Sequence, residues 1–407
     1  MGNRIIKIGL AAFAAGFLAL SSPCLAADGA AEGAEFAPEV GIAHKSKDVS
    51  PSAIVMDEKG TIYVSWIEEE KEGASVYLSL SQDGGKSYGN AMRVNTVSDS
   101  PSGVHNSPSL ALGRKGEIYI AWITPKPGGE FAGDIKFSRS ADGGKTFSPA
   151  IRVNDSAGAT SVGFESIAVS PDGKISMAWL DGREKGKGTS ATYFAVSVDG
   201  GRSFGANLRL DANSCPCCRT ALTAGPDGTI YAAWRKVFEN DVREIVLSSS
   251  SDGGKSFSAP VIVGNDKWAI SGCPHRGPSL GVGAGGALFA TWYSEGDGLP
   301  KIFLGESTDG GKSFSKEEIK VQAGSFPDHP ALAIINGKPV LAWEEVTPVV
   351  GRIMFMRHKG GVAQQFSQGP RKSGYPTIVC NAAVGFLAIG WSKDEMKITK
   401  TLVRTGR

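Results

Sequence analysis

The octapeptide Ser-x-Asp-Gly-Gly-Lys/Arg-Ser/Thr-Phe/Tyr occurs five times, at Ser81–Tyr88, Ser140–Phe147, Ser197–Phe204, Ser250–Phe257 and Ser307–Phe314. Its aspartates, Asp83, Asp142, Asp199, Asp252 and Asp309, lie 59, 57, 53 and 57 residues apart. In phase with it runs a β-rich stretch ending in tryptophan, at Trp66, Trp122, Trp179, Trp234, Trp292, Trp343 and Trp391. The tryptophans recur about every 54 residues, and self-similarity at such a period marks a chain built by repeating one supersecondary unit. Within a period, a Pro/Ser-led apolar strand, a turn, the Trp strand, a third strand, the Asp-Gly-Gly turn and a short fourth strand follow in order.

Four short antiparallel strands per repeat predict an all-β chain, a β-propeller of four-stranded antiparallel blades. The 54 glycines among 407 residues, about twice ordinary usage, suit its tight turns. In the Asp-Gly-Gly turn, glycine supplies positive φ, and the aspartate can accept backbone N–H bonds inside the loop. These octapeptides resemble Asp boxes (BNR repeats), and the chain resembles the sialidase-like propeller superfamily over nearly its whole mature length. Sialidases have six blades. Here Trp343 and Trp391 keep the strand pattern without an Asp box, so the expectation is seven blades, with six as the alternative. The last repeat has three strands, and Glu39–His44 is expected to supply the fourth and close the ring.

Arg4 and Lys7, the apolar run Ile8–Leu20 and the small residues ending at Ala27 read as a secretory signal over residues 1–26, which predicts a periplasmic or secreted protein. The run is too short to span a bilayer. Residues 27–38 read as a flexible leader and 39–407 as a single propeller domain, expected to be a monomer. With 43 basic and 41 acidic side chains scattered along the chain, nothing offers a phosphate-neutralising surface, so nucleic acid is not an expected partner. A small-molecule, glycan or protein ligand is.

Strand direction places the Asp boxes on one face and the residues leading into the inner strands on the other. Aligning the repeats brings Asp48, His105, Glu165, Cys217, Cys218, Arg219, His275, Arg276, Asp328, His329 and Tyr375 to an axial mouth. The ends of the Trp strands add Glu68, Asp181, Arg183, Arg235, Tyr293, Glu344 and Glu345. A concave site ringed by such groups is the expected ligand site. Arg219, Arg276, His105, His329, Asp328, Arg183 and Arg235 are its candidate ligand-binding residues. Of the neighbours Glu344 and Glu345, strand alternation expects one to face inward and the other solvent. His44 and His358 are expected outside the ring, in solvent. Trp268 and Tyr293 are candidates for stacking on a ligand.

The cysteines carry the sharpest local signal. Cys24 leaves with the signal, and Cys380 sits in an apolar inner strand as a buried free thiol. Cys215, Cys217, Cys218 and Cys273 converge from adjacent repeats. Two readings stay open: disulfides among these four, with Cys273 stapled to one of the first three, or a copper or zinc site on Cys217, Cys218, Cys273 and His275. The superfamily resemblance implies a third chemistry, glycoside hydrolysis, with Tyr375 as nucleophile, Glu165 assisting it, Asp48 as acid, and Arg219 and Arg276 pairing with a substrate carboxylate. The family's Phe/Tyr-Arg-Ile-Pro segment is absent, and the equivalent position reads Asp48-Val-Ser-Pro51. The first expectation is therefore a binding or accessory protein, followed by a sialidase-type hydrolase and then a protein-docking scaffold.

Overall fold

The computed structural model describes residues 36–406, apart from 104–105, 130, 187–188, 358–359, 370–372, 382–384 and 396–397. The signal, almost all of the leader, Cys24, His105 and His358 lie outside the described residues. No α-helix occurs among the described residues, and no helix there is long and apolar enough to cross a membrane.

Among the described residues, twenty-eight strands form antiparallel sheets in groups of four. The inner strands of the groups are Ala53–Met56, Ser109–Leu112, Val162–Val169, Ala221–Ala224, Ser279–Val282, Phe326–Ile335 and Ser373–Asn381. Each touches the inner strand of the next group, and the last touches the first, so the seven groups close a ring; below they are numbered as sheets in chain order. A single pair, Ser214 with Lys236, joins the outer strand of the third sheet to the second strand of the fourth. In the seventh sheet the outer strand comes from the N-terminus: Val40 pairs with Val403 and Gly41 with Leu402, antiparallel. That closure gives the last sheet its fourth, outer strand.

The seven repeating tryptophans are fully buried and fill the spaces between sheets. A buried indole N–H needs an acceptor. Trp66 donates to Glu68 (2.8 Å), Trp179 to Asp181 (3.0 Å), Trp234 to Asp211 (2.8 Å), Trp292 to Asp266 (2.6 Å), Trp343 to Glu345 (3.4 Å) and Trp122 to the Asp99 carbonyl (2.8 Å). His44 joins the first of these pairs. Its Nδ1 lies 3.1 Å from Glu68 Oε1 and its Nε2 accepts from the Thr401 N–H, so it is buried rather than in solvent as expected.

In every Asp box the aspartate accepts from the serine hydroxyl two residues before it and from the backbone and hydroxyl of the Ser/Thr four residues after it. In the third sheet, Asp199 Oδ1 accepts from the backbone N–H groups of Arg202 and Ser203 and from the Ser197 hydroxyl, while Oδ2 accepts from the Ser203 hydroxyl at 2.6 Å. These bonds, the Ser203 hydroxyl first, hold the carboxyl far below the ordinary carboxylate range. The second glycine has a further role. A Cβ on Gly201 would lie 2.7 Å from Phe137 Cε1, and one on Gly254 2.7 Å from Phe194 Cε1, so each box packs against the third strand of the preceding sheet. The later halves of five of the inner strands line an open axial cavity of about 380 Å³, with Val55, Leu110, Ile167, Ile334 and Ile378 among its side chains. Cys380 lines it too, and burial pushes its thiol up to about 12.

Gly201→Ala is expected to cost about 2–4 kcal/mol, from positive φ and overpacking together. Gly200→Ala, with positive φ but nothing within 4 Å of the new methyl, is expected to cost only about 1 kcal/mol. Equal denaturant midpoints for the two variants would remove the inter-sheet role of the second glycine.

Candidate functional site

The residues leading into the inner strands meet at the mouth of the ring, and the backbone there is unusual. The register of the inner strands shifts between Gly163 and Ser166, Asp328 and Ala331, and Gly374 and Thr377. Within these bulges Phe164, His329 and Tyr375 take left-handed φ of 57°, 43° and 54°, and His275 takes 56° at the matching place before the fifth inner strand. A bulge re-aims a side chain, and non-glycine residues held at positive φ cost energy that the surroundings must offset. The rings come together in pairs, Phe164 with His275 at 6.3 Å and His329 with Tyr375 at 4.4 Å.

The thiols cluster beside the first ring pair. Cys215 directly follows the outer strand of the third sheet, Leu208–Ser214, and donates its backbone N–H to the Arg235 carbonyl (2.8 Å). Its sulfur lies 3.6 Å from that of Cys217 and 3.5 Å from that of Cys218, and the three are buried. Cys273 and His275 approach from the next sheet: their ligand atoms and the Cys217 sulfur lie within 4.8 Å of one another. Close backbone packing makes the meeting possible, since a Cβ on Gly277 would fall 2.1 Å from the Arg219 carbonyl oxygen. All five cysteines of the described residues are free thiols, so the expected Cys273 staple is not present in this structure. Hydrogen bonds from Cys217 and Cys218, together with the Arg243 guanidinium donating to it at 3.1 Å, push the Cys215 thiol far down. The shared hydrogen bonds push Cys217 up, and burial does the same to Cys218.

The arginines are engaged by the protein. Arg219 donates to the Glu165 carbonyl (2.6 Å) and to the carbonyl and hydroxyl of Ser107 (both 3.1 Å). Arg276 forms a two-pronged pair with Asp328, 2.5 and 2.6 Å, and also donates to the Pro274 carbonyl. Arg235 is buried and donates to the carbonyls of Arg276 and Tyr293, with its guanidinium 5.0 Å from the Trp268 ring centre. Arg183 pairs with Asp181 and Asp155. These four order the loops of the mouth. Trp268 and Tyr293 are both buried, their rings 5.6 Å apart, and so are not open to stack on a ligand, whereas Tyr375 is half-exposed.

The carboxylates divide similarly. His329 Nδ1 lies 3.2 Å from Glu344 and 3.3 Å from Asp328. Glu345 accepts from Ser325, Trp343 and Arg352, so Glu344 and Glu345 face opposite ways as expected, but neither is in solvent. Asp48 is exposed. Glu165 is buried, and neither of its carboxylate oxygens has a hydrogen-bond partner, so the bond from Glu165 to Tyr375 that a sialidase-type nucleophile needs is not formed. Burial raises the Glu165 carboxyl to about 7, against an opposing pull from Arg219.

Taken together, these features define a β-propeller with a thiol-lined mouth. The model of the BNR repeat-like domain matches residues 60–269, about half of the chain, and the chain belongs to that family. No curated protein is similar enough in sequence to count as a match. Among solved structures, a polysaccharide lyase of family PL25, an ulvan lyase, superposes with a TM-score of 0.59 at 11% identity, over 89% of this chain and 95% of that one. A protein of unknown function from Dyadobacter fermentans has a TM-score of 0.54 at 15% identity, over 92% of this chain and 100% of that one. The α-L-arabinofuranosidase Arb93A from Fusarium graminearum has a TM-score of 0.53 at 12% identity, over 90% and 97%. At these identities the likeness is one of fold.

Because the folded Glu165 carboxyl sits at about 7 and the ordinary value is 4.5, the folded protein holds a proton that the unfolded chain releases. Stability is therefore expected to fall as pH rises from about 4.5 to about 7 and then to level, by about 3 kcal/mol in all. Unfolding free energies of the wild type and Glu165→Gln across that range check this. The variant should lose the slope, and an unchanged slope would assign it to another group.

Proposed function

We propose that this is an exported, monomeric binding or accessory propeller of seven blades whose mouth holds a soft metal ion, copper or zinc, on thiolates and imidazole. The observation that carries this is the position of the Cys217 sulfur, within 4.8 Å of the ligand atoms of both Cys215/Cys218 and Cys273/His275. Thiolate with imidazole is a donor set for copper and zinc, and a nearby guanidinium favours the deprotonated sulfur. The same mouth speaks against the sialidase-type alternative. Arg219 and Arg276 already bond to protein acceptors, so pairing with a substrate carboxylate would require breaking those bonds. The half-exposed Tyr375 beside His329 supplies an aromatic surface on which a glycan ligand could lie.

Protein exported to an oxidising compartment and purified without chelator is expected to carry at least one equivalent of copper or zinc by elemental analysis. Cys217→Ser should lose it, and Tyr375→Phe should keep it. Metal-free protein with a single titratable thiol, that of Cys380, would instead mean two disulfides and overturn the proposal.

A further inference from the structure

The thiol cluster offers more donors than one ion of this kind needs, and they are arranged as two sets of three. Cys215, Cys217 and Cys218 form the first set, with all three side chains buried; Cys217, Cys273 and His275 form the second, in which Cys273 and His275 are exposed. Cys217 belongs to both. A structural zinc ion takes four ligands, and neither set supplies four. Soft thiolates select copper(I), for which three-coordination is ordinary. We propose that the mouth binds two copper(I) ions bridged by the Cys217 thiolate, one held by Cys215, Cys217 and Cys218 and the other by Cys217, Cys273 and His275. This rests on the metal-binding reading above and specifies its metal and stoichiometry.

The charges fit. Each of the four thiols gives its proton to solvent when it ligates, so two copper(I) ions on four thiolates and a neutral imidazole carry two negative charges. Two arginines face them from the fourth sheet. Arg243 donates to the Cys215 sulfur at 3.1 Å, and the buried Arg235 stands close enough to Cys218 to favour its anion. No oxidation or reduction is involved, because copper enters and stays in the +1 state. The two ions differ in access: the first lies behind buried side chains, whereas the second has an exposed thiolate and an exposed imidazole through which copper can be passed on. Phe164 packs against the three buried cysteines and lies 6.3 Å from His275, so its ring stands beside both sets.

The test is an anaerobic titration of the full-length, fully reduced protein with copper(I) in competition with a chromophoric chelator. The wild type is expected to take up two equivalents. Cys273→Ser and His275→Ala, both at exposed positions, should each stop at one, and Cys217→Ser should bind less than one. X-ray absorption of the two-equivalent form should show copper–copper scattering that both one-equivalent variants lack. A wild type that saturates at one equivalent, or a Cys273→Ser protein that still binds two, would overturn the bridged pair and leave the single-ion reading standing. Failure of the reduced wild type to bind any copper would overturn the bridged pair and the copper form of the single-ion reading, and leave zinc as the ion to be sought by elemental analysis. Should Cys217→Ser not fold, the two exposed variants decide the matter by themselves.

Discussion

Close approach between sheets is the constraint from which the rest of the structure follows. A four-stranded sheet has two apolar faces, and in a ring each face is covered by the neighbouring sheet. The second glycine of every Asp box lets the box sit directly on the preceding sheet's third strand: Gly144 on Leu78, Gly201 on Phe137, Gly254 on Phe194 and Gly311 on Leu247. In the first sheet Gly85 meets Thr405 of the last in the same way, so the contact that links successive sheets also spans the point of closure. Once the sheets pack this closely, their inner strands converge on the axis, and the residues leading into them are brought to one mouth.

Convergence brings charge together as well as chemistry, and the protein neutralises much of it internally. The repeats place the acids after the Trp strands at the mouth, yet Glu68, Asp181 and Glu345 accept the indole N–H of the tryptophan two residues earlier, and Asp181 and Glu345 also bind Arg183 and Arg352. The arginines form a second layer of the same kind, with Arg235 fixing the backbone carbonyl of Arg276 while the Arg276 side chain grips Asp328. Against these pairs, the buried Glu165 keeps both carboxylate oxygens without a hydrogen-bond partner, and the thiols and His275 lie close enough together to share a ligand.

The strand pattern and the repeats were legible in the sequence because they are local: a turn type and an alternation are set by neighbouring residues. The meeting of Cys217 with Cys273 was legible too, because both lead into inner strands of successive sheets. Contacts between repeats were not. The indole of Trp234 is met by Asp211 and that of Trp292 by Asp266, more than twenty residues earlier, whereas Trp179 uses an acid two residues later, so no fixed offset reveals the acceptor. His44 lies in a segment with no repeat partner, and only the closed ring shows it packed on Trp66 with its ring nitrogens occupied. Gly277 gave no signal among 54 glycines, although its lack of a side chain lets Arg219 and the Cys273 segment approach.

Ring closure and the thiol cluster make different demands on the folding chain. Closure joins Val40 to Val403, whereas the cluster needs only the stretch from Cys215 to His275, a loop about six times shorter. By loop-closure entropy the shorter contact is favoured by about 1.6 kcal/mol before any packing is counted. The cluster also draws on consecutive sheets in the middle of the chain, while closure waits for both ends. Assembly of the thiol cluster and completion of the propeller are thus separable events, and a circular permutant that moved the termini to another loop would relocate the seam of the ring without cutting through the thiols.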